Sequence, residues 1–111
     1  MSAARYVSTR GRAPELGFTD VLLAGLATDG GLYVPEHWPT LPAHRPGDTY
    51  AQRAAQIVQL FVGDELAPAT VQRLCDEAYA TFTHPAVVPL VQIDAGHFVQ
   101  ELFHGPTLAF K

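Results

Sequence analysis

The sequence predicts an α+β fold: a small helical domain with short, mostly antiparallel strands. Three observations carry that reading. Val71, Leu74, Cys75, Ala78, Tyr79 and Phe82 recur at steps of three, four and one, which makes one continuous apolar face at helical period. Thr49 and Gln52 have capping-box spacing at the head of a second apolar run. After "THP" the pattern turns β-rich, and "HFVQELF" alternates between Phe98, Gln100, Leu102 and Val99, Glu101, Phe103.

The elements follow in order. "RYVSTR" has strand composition, breaks at Gly11, and gives way to "RAPELG", which reads as loop. Thr19 or Asp20 caps a short helix through "DVLLAGLA", where the side-chain oxygen accepts from open amides and Asp20 complements the helix dipole. Val21, Leu22, Leu23 and Leu26 wrap most of that helix, so burial is expected. Asp29-Gly30-Gly31 is a turn, and Leu32-Tyr33-Val34 can pair briefly as a strand before Pro35.

Residues 35–47 hold four prolines and a glycine, an irregular crossing with Trp38 as its expected anchor. The helix opened by Thr49 runs through "YAQRAAQIVQLFV" and closes at Gly63-Asp64. Pro68 suits the first turn of the third helix, since its missing amide would be unpaired there anyway. Cys75, on the apolar face of that helix, reads as a small buried hydrophobe. "AVVPLVQI" is a strand whose Pro89 argues for a sheet edge, and Asp94-Ala95-Gly96 reads as a three-residue hairpin loop.

Composition bounds the function. The chain has 111 residues, 48% hydrophobic and only 16% charged, a shortfall that implies part of the surface lies against something else. A net charge of −4 with scattered arginines gives no footprint for nucleic acid. The lone Cys75 rules out an internal disulfide and suits a reducing cytoplasm. The first residues are too polar for a signal peptide, and "VLLAGLA" is too short to span a bilayer, so no membrane association is expected. His37, His44, His84, His97 and His104 include no i, i+4 pair, which argues against a metal centre. Phosphate-loop and nucleophile-elbow motifs are missing.

Lys111 remains. Six arginines accompany this one lysine, which follows Leu108, Ala109 and Phe110 behind a Gly-Pro turn. Apolar neighbours strip water from an amine and lower its pKa by penalising the charged form. A neutral amine can attack an aldehyde and form a Schiff base. Taken alone, a lysine in this position reads first as a solvated charge, and its apolar neighbours shift that reading towards chemistry.

Four stretches, "YVSTRG", "DVLLAGLATDGGLYVPE", "THPAVVPL" and "ELFHGPTLAFK", occur in an order and spacing that resembles the N-terminal region of the threonine synthase family. That family belongs to the tryptophan-synthase-β-like, fold-type-II enzymes that use pyridoxal 5'-phosphate. The resemblance implies that Lys111 carries the cofactor as a Schiff base and is the catalytic residue. It implies conversion of O-phospho-L-homoserine and water to L-threonine and phosphate. It also implies that the sequence stops before the α/β catalytic core, with residues 1–83 as an N-terminal domain and residues 84–111 as the start of the catalytic one. The partners are then the remainder of the same polypeptide and the small-molecule substrate, and the 111 residues alone are expected to be inactive.

Phe110 has two open readings, packing near the cofactor ring or anchoring the core. His104 and Thr107 read first as turn residues, and second as groups reaching cofactor or substrate phosphate. Arg10 reads first as a structural ion pair, and second as a bidentate contact to an anionic substrate. Two other functions stay open. One is a threonine-synthase-like phospho-lyase that eliminates phosphate without making threonine. The other is a short non-catalytic binding or dimerisation module, which a native stop codon after Lys111 would favour.

Overall fold

The computed structural model describes residues 2–110. Its elements in chain order are β1 (Arg5–Ser8), β2 (Leu16–Gly17), α1 (Phe18–Ala24), β3 (Tyr33–Pro35), α2 (Tyr50–Val62), α3 (Pro68–Tyr79), β4 (Leu90–Asp94) and β5 (His97–Gln100). β1 is the centre of a three-stranded antiparallel sheet, with β2 on one side and β3 on the other. β4 and β5 form a separate antiparallel hairpin. Among the described residues no helix is long and apolar enough to cross a membrane.

The two long helices form where sequence patterning places them. At the head of α2 both capping-box bonds are made: Gln52 N–H donates to Thr49 Oγ1 at 3.1 Å, and Thr49 N–H donates to Gln52 Oε1 at 2.8 Å. Pro68 opens α3. The two helices pack through Ala55, Val62, Val71 and Cys75, with Phe18, Leu66 and Tyr79 around them. Val62 and Val71 are each only 1% exposed. Burying a valine side chain contributes about 1.5–3 kcal/mol relative to leaving it in water. Cys75 is a buried part of this core, as its place on the apolar face predicts.

Several local expectations are corrected. Helix α1 starts at Phe18 behind Gly17 and has no side-chain cap of its own, so neither Thr19 nor Asp20 does that work. Glu65, from the turn between α2 and α3, supplies it instead, accepting from Phe18 N–H at 3.0 Å and Thr19 N–H at 2.7 Å. Gly17 makes the approach possible, because a Cβ there would collide with Glu65 Oε1. The expected burial of α1 is not found: none of its residues is buried, and Leu23 is 80% exposed. Apolar residues make up most of the helix, and it meets the buried α2–α3 cluster through Phe18 in its first turn.

Trp38 meets Phe61 edge to face at 6.4 Å yet stays 71% exposed, so it leans on the body rather than anchoring the crossing. The stretch read as loop before Phe18 contains β2, too short for any periodicity to reveal. Pro35, expected to end the third strand, lies within it. The hairpin loop is Ala95-Gly96, with Asp94 paired to His97 and a register irregularity between Gln92 and Asp94. Asp94 Oδ1 accepts from Gly96 N–H at 3.0 Å, which tightens the turn.

The Thr19 hydroxyl and amide, then the Phe18 amide and the Arg5 charge, hold the Glu65 carboxyl below its ordinary value against a desolvation cost. A lowered folded value means this stabilisation is present above the ordinary carboxylate range and is lost as pH falls through the folded value. Glu65→Ala is therefore expected to lower the urea midpoint at neutral pH, with the gap from the parent closing on acidification; a gap that stays constant into acid refutes the cap.

Candidate functional site

The hairpin returns the chain to the end of α3. Glu101 N–H donates to Pro89 O at 2.9 Å, closing the base of β4 and β5. Beyond it, His104 Nε2 lies 2.9 Å from Glu101 Oε1, and the His104 ring stands 4.9 Å from that of His84. The His104 carbonyl accepts twice from Thr83, from its amide at 3.0 Å and its hydroxyl at 3.3 Å. His104 is thus more than the turn residue first expected: its side chain and its carbonyl both hold neighbouring segments.

Gly105 follows, buried beneath the ring of Phe82. Phe82 in turn meets Tyr79 at 5.4 Å, and Tyr79 meets Tyr50 edge to face at 4.8 Å. Burial pushes the Tyr79 hydroxyl above its ordinary value, with Tyr50 and Cys75 adding to it. Leu108 N–H then donates to Gly105 O at 3.1 Å, and Leu108 adopts a left-handed φ of +58°, uncommon for a branched side chain. Thr107 Oγ1 accepts from Ala109 N–H at 3.4 Å, which fits its expected role as a turn residue.

This arrangement encloses a cleft of about 450 Å³. Tyr50, Tyr79 and Phe82 form one wall, and Gly105, Pro106 and Phe110 the other. The volume lies in the range of small-molecule sites. Its described lining residues are apolar or neutral, so they present a hydrophobic wall and no cationic partner for a phosphate. Phe110 reaches the cleft but is 75% exposed, so it does not act as a core anchor among the described residues. Leu108 and Ala109 are exposed as well, so any drying of an amine beside them needs a further layer of protein. Lys111 itself lies outside the described residues.

The other polar candidates form a second cluster around Asp29. Its carboxylate accepts from the Ser8 hydroxyl at 2.7 Å, Gly31 N–H at 2.9 Å and Arg12 N–H at 2.9 Å. Thr9 Oγ1 accepts from Leu32 N–H at 3.0 Å. The bond from Ser8, then those from Gly31 and Arg12 and the charge of Arg10, hold the Asp29 carboxyl low against desolvation. Among the described residues Arg10 does not form the expected carboxylate ion pair; its guanidinium donates to the Asp29 carbonyl at 3.1 Å. Asp29 organises this loop, and sequence reading saw it only as part of a turn. The signal was present in the donors of "STR", which need an acceptor once the strand ends. Arg10 shares no lining with the cleft at Phe110. Among the described residues no group of three or more His, Cys, Asp or Glu side chains can hold a metal ion.

Comparison with known proteins adds the following. The family described as "Threonine synthase N terminus" matches residues 5–79. The chain is 50% identical to threonine synthase from Pseudomonas aeruginosa, over 96% of its own length and 24% of that protein. It is 41% identical to threonine synthase-like 2 from Rattus norvegicus, over 96% of this chain and 23% of that one. The crystal structure of pyridoxal-phosphate-bound threonine synthase from Brucella melitensis superposes with a TM-score of 0.89 at 54% identity, covering 96% of this chain and 24% of that one. The chain thus spans about a quarter of the length of the curated relatives it matches.

Cys75 is no part of the cleft's lining, and burial, then the charge of Asp76, pushes its thiol up. Its reaction with an aromatic disulfide at mildly alkaline pH is expected to be more than about tenfold slower in the native protein than in urea. Equal rates would show that the α2–α3 core does not protect it.

Proposed function

This chain belongs to the threonine synthase family, and from that membership we propose that it is the N-terminal part of an enzyme converting O-phospho-L-homoserine and water to L-threonine and phosphate. The cofactor in this reading is pyridoxal 5'-phosphate, and the setting is the cytoplasm. Residues 1–83 are the N-terminal domain and residues 84–111 begin the catalytic one. The remainder of the same polypeptide completes the site. One observation carries the reading: close structural likeness to a cofactor-bound relative, extending over nearly the whole chain.

The residues present fit part of the cofactor. Lys111, the only lysine of the sequence, offers the amine for an aldehyde. Phe110, next to it and on the wall of the cleft, offers a ring face. The neutral lining at 450 Å³ suits an aromatic ring and leaves the phosphate to residues beyond this chain. When bound, the cofactor supplies an electron sink for carbanions at the substrate's Cα and Cβ.

The chain's own residues have narrower tasks. Lys111 holds the cofactor through its amine. The same amine, when neutral, moves a proton at the substrate's Cα and Cβ. Leu108, Ala109 and Phe110 exclude water from it once the rest of the polypeptide covers them, which keeps the amine uncharged. The isolated 111 residues lack that cover, and they turn over no O-phospho-L-homoserine in this reading.

Borohydride reduction of the full-length protein with pyridoxal 5'-phosphate, followed by digestion and mass mapping, is expected to place the pyridoxyl mass on Lys111. Mass on another residue, or none, refutes the assignment. Product analysis of the same protein with O-phospho-L-homoserine is expected to give threonine and phosphate; an oxo acid and ammonia would make it a phospho-lyase.

A further inference from the structure

The cofactor residue of the proposed reaction follows a segment whose placement is decided by residues outside it. Three aromatic rings, Tyr50, Tyr79 and Phe82, run from the head of α2 across the end of α3 to the buried Gly105. The last contact is close. A Cβ built on Gly105 would lie 3.0 Å from Phe82 Cζ and 3.1 Å from Cε2. Gly105 has no left-handed φ to explain its glycine, so the ring above it is the constraint. One residue along on each strand of the chain, Thr83 donates both its amide and its hydroxyl to the His104 carbonyl. His104 is held a third way, by Glu101.

We propose that Phe82 and Thr83, gripping His104 and Gly105, form a clamp by which the helical N-terminal body positions the Lys111 segment for catalysis. This rests on the assignment of Lys111 proposed above. These act as positioning residues: Thr83 and His104 are outside the cleft's lining, and Phe82 and Gly105, which belong to it, act through their grip on the segment. The clamp fixes the start of the turn that Leu108 closes onto Gly105, three residues before Lys111. Rotation at Gly105 would swing everything after it, and misplacing a reacting group by about 1 Å costs up to about a hundredfold in rate. A glycine there lets the ring approach, and the ring then stops the glycine from turning.

The test uses the full-length protein with three variants: Gly105→Ala, Phe82→Leu and the double variant. Gly105→Ala pushes a methyl into the ring, while Phe82→Leu makes room for it. The first readout needs no cofactor: amide hydrogen exchange of the peptide covering residues 104–110 in the cofactor-free protein. Exchange is expected to rise in each single variant and to return towards the parent in the double one.

The second readout is the loaded enzyme. Each single variant is expected to lose about tenfold in kcat per bound cofactor with KM unchanged, and to shift the cofactor absorption maximum. The double variant should recover most of the loss, a coupling that neighbouring but independent sites do not show. Unchanged exchange in both single variants overturns the clamp. So does a fall in thermal stability with kcat, KM and spectrum unmoved, because that is a structural role only. Should Lys111→Ala retain a reducible cofactor adduct, the functional assignment fails, and the exchange readout still decides whether the segment is gripped.

Discussion

The corner between α2 and α3 has to satisfy the carbonyls that α2 leaves open at its end, and the N-terminal body is assembled on how it does so. Gln59 folds its amide back to donate to Gly63 O and Leu66 O, both at 2.9 Å. Gly63, with a φ of +67°, turns the chain and donates to Gln59 O at 3.0 Å. A side chain at Gly63 would collide with the backbone of Ala4, so the corner also admits the approach to β1. Tyr6 of β1 donates its hydroxyl to Phe61 O. Two residues past the turn, Glu65 caps α1. One glycine and three polar side chains thus dock the sheet, the short helix and the two long helices together. The bonds to Gln59 O, Phe61 O and the Phe18 and Thr19 amides meet groups that would otherwise be left open at a helix end, and the bond to Leu66 O ties down the turn between α2 and α3.

What this assembly leaves uncovered is as informative as what it buries. Leu22, Leu23 and Leu26 stand exposed on and just after α1. On the hairpin Leu90 and Phe98 are exposed on one face, and Val91 and Val99 on the other. An antiparallel hairpin facing water on one side shows polar residues there; apolar residues on both faces are the mark of a sheet covered twice. A two-stranded hairpin is also marginal by itself. Contiguous apolar surface of this kind marks a place of contact. It fits the low charge content of the sequence, and it fits a family whose relatives are about four times as long. The proposed remainder of the polypeptide is the natural cover for both regions.

The cleft beside Phe82 has the same character. Its aromatic wall is built by the N-terminal body, and its opposite wall by the segment that leads to Lys111. In the clamp proposed above, the N-terminal body acts on the rate by deciding where the amine sits. In that proposal the geometry of His104 and Gly105 has a physical purpose: one carbonyl doubly bonded by Thr83, one buried glycine under a ring.

Local chemistry was legible wherever the cause lay within a few residues. The capping box at Thr49, the start of α3 at Pro68, the apolar face through Val71 and Cys75, and the strand of "RYVS" all depend on neighbours in sequence, so periodicity and cap residues sufficed. Lys111 stood out for a similar reason, being one amine behind an apolar run. Where the partner is distant, the sequence was silent or misleading. It pointed to Thr19 or Asp20 as the cap of α1, whereas Glu65 arrives from more than forty residues away. Apolar composition suggested that α1 is buried, but burial depends on what is packed against it, which composition cannot specify. Asp29 looked like a turn and proved to be the acceptor for three segments. The sequence by itself therefore determined the two long helices, the first strand, the hairpin and the candidate amine, because those follow from short-range spacing. Only the tertiary structure decided who caps whom, which apolar faces stay open, and what grips the segment before the lysine, because each of those needs two stretches of chain to meet in space.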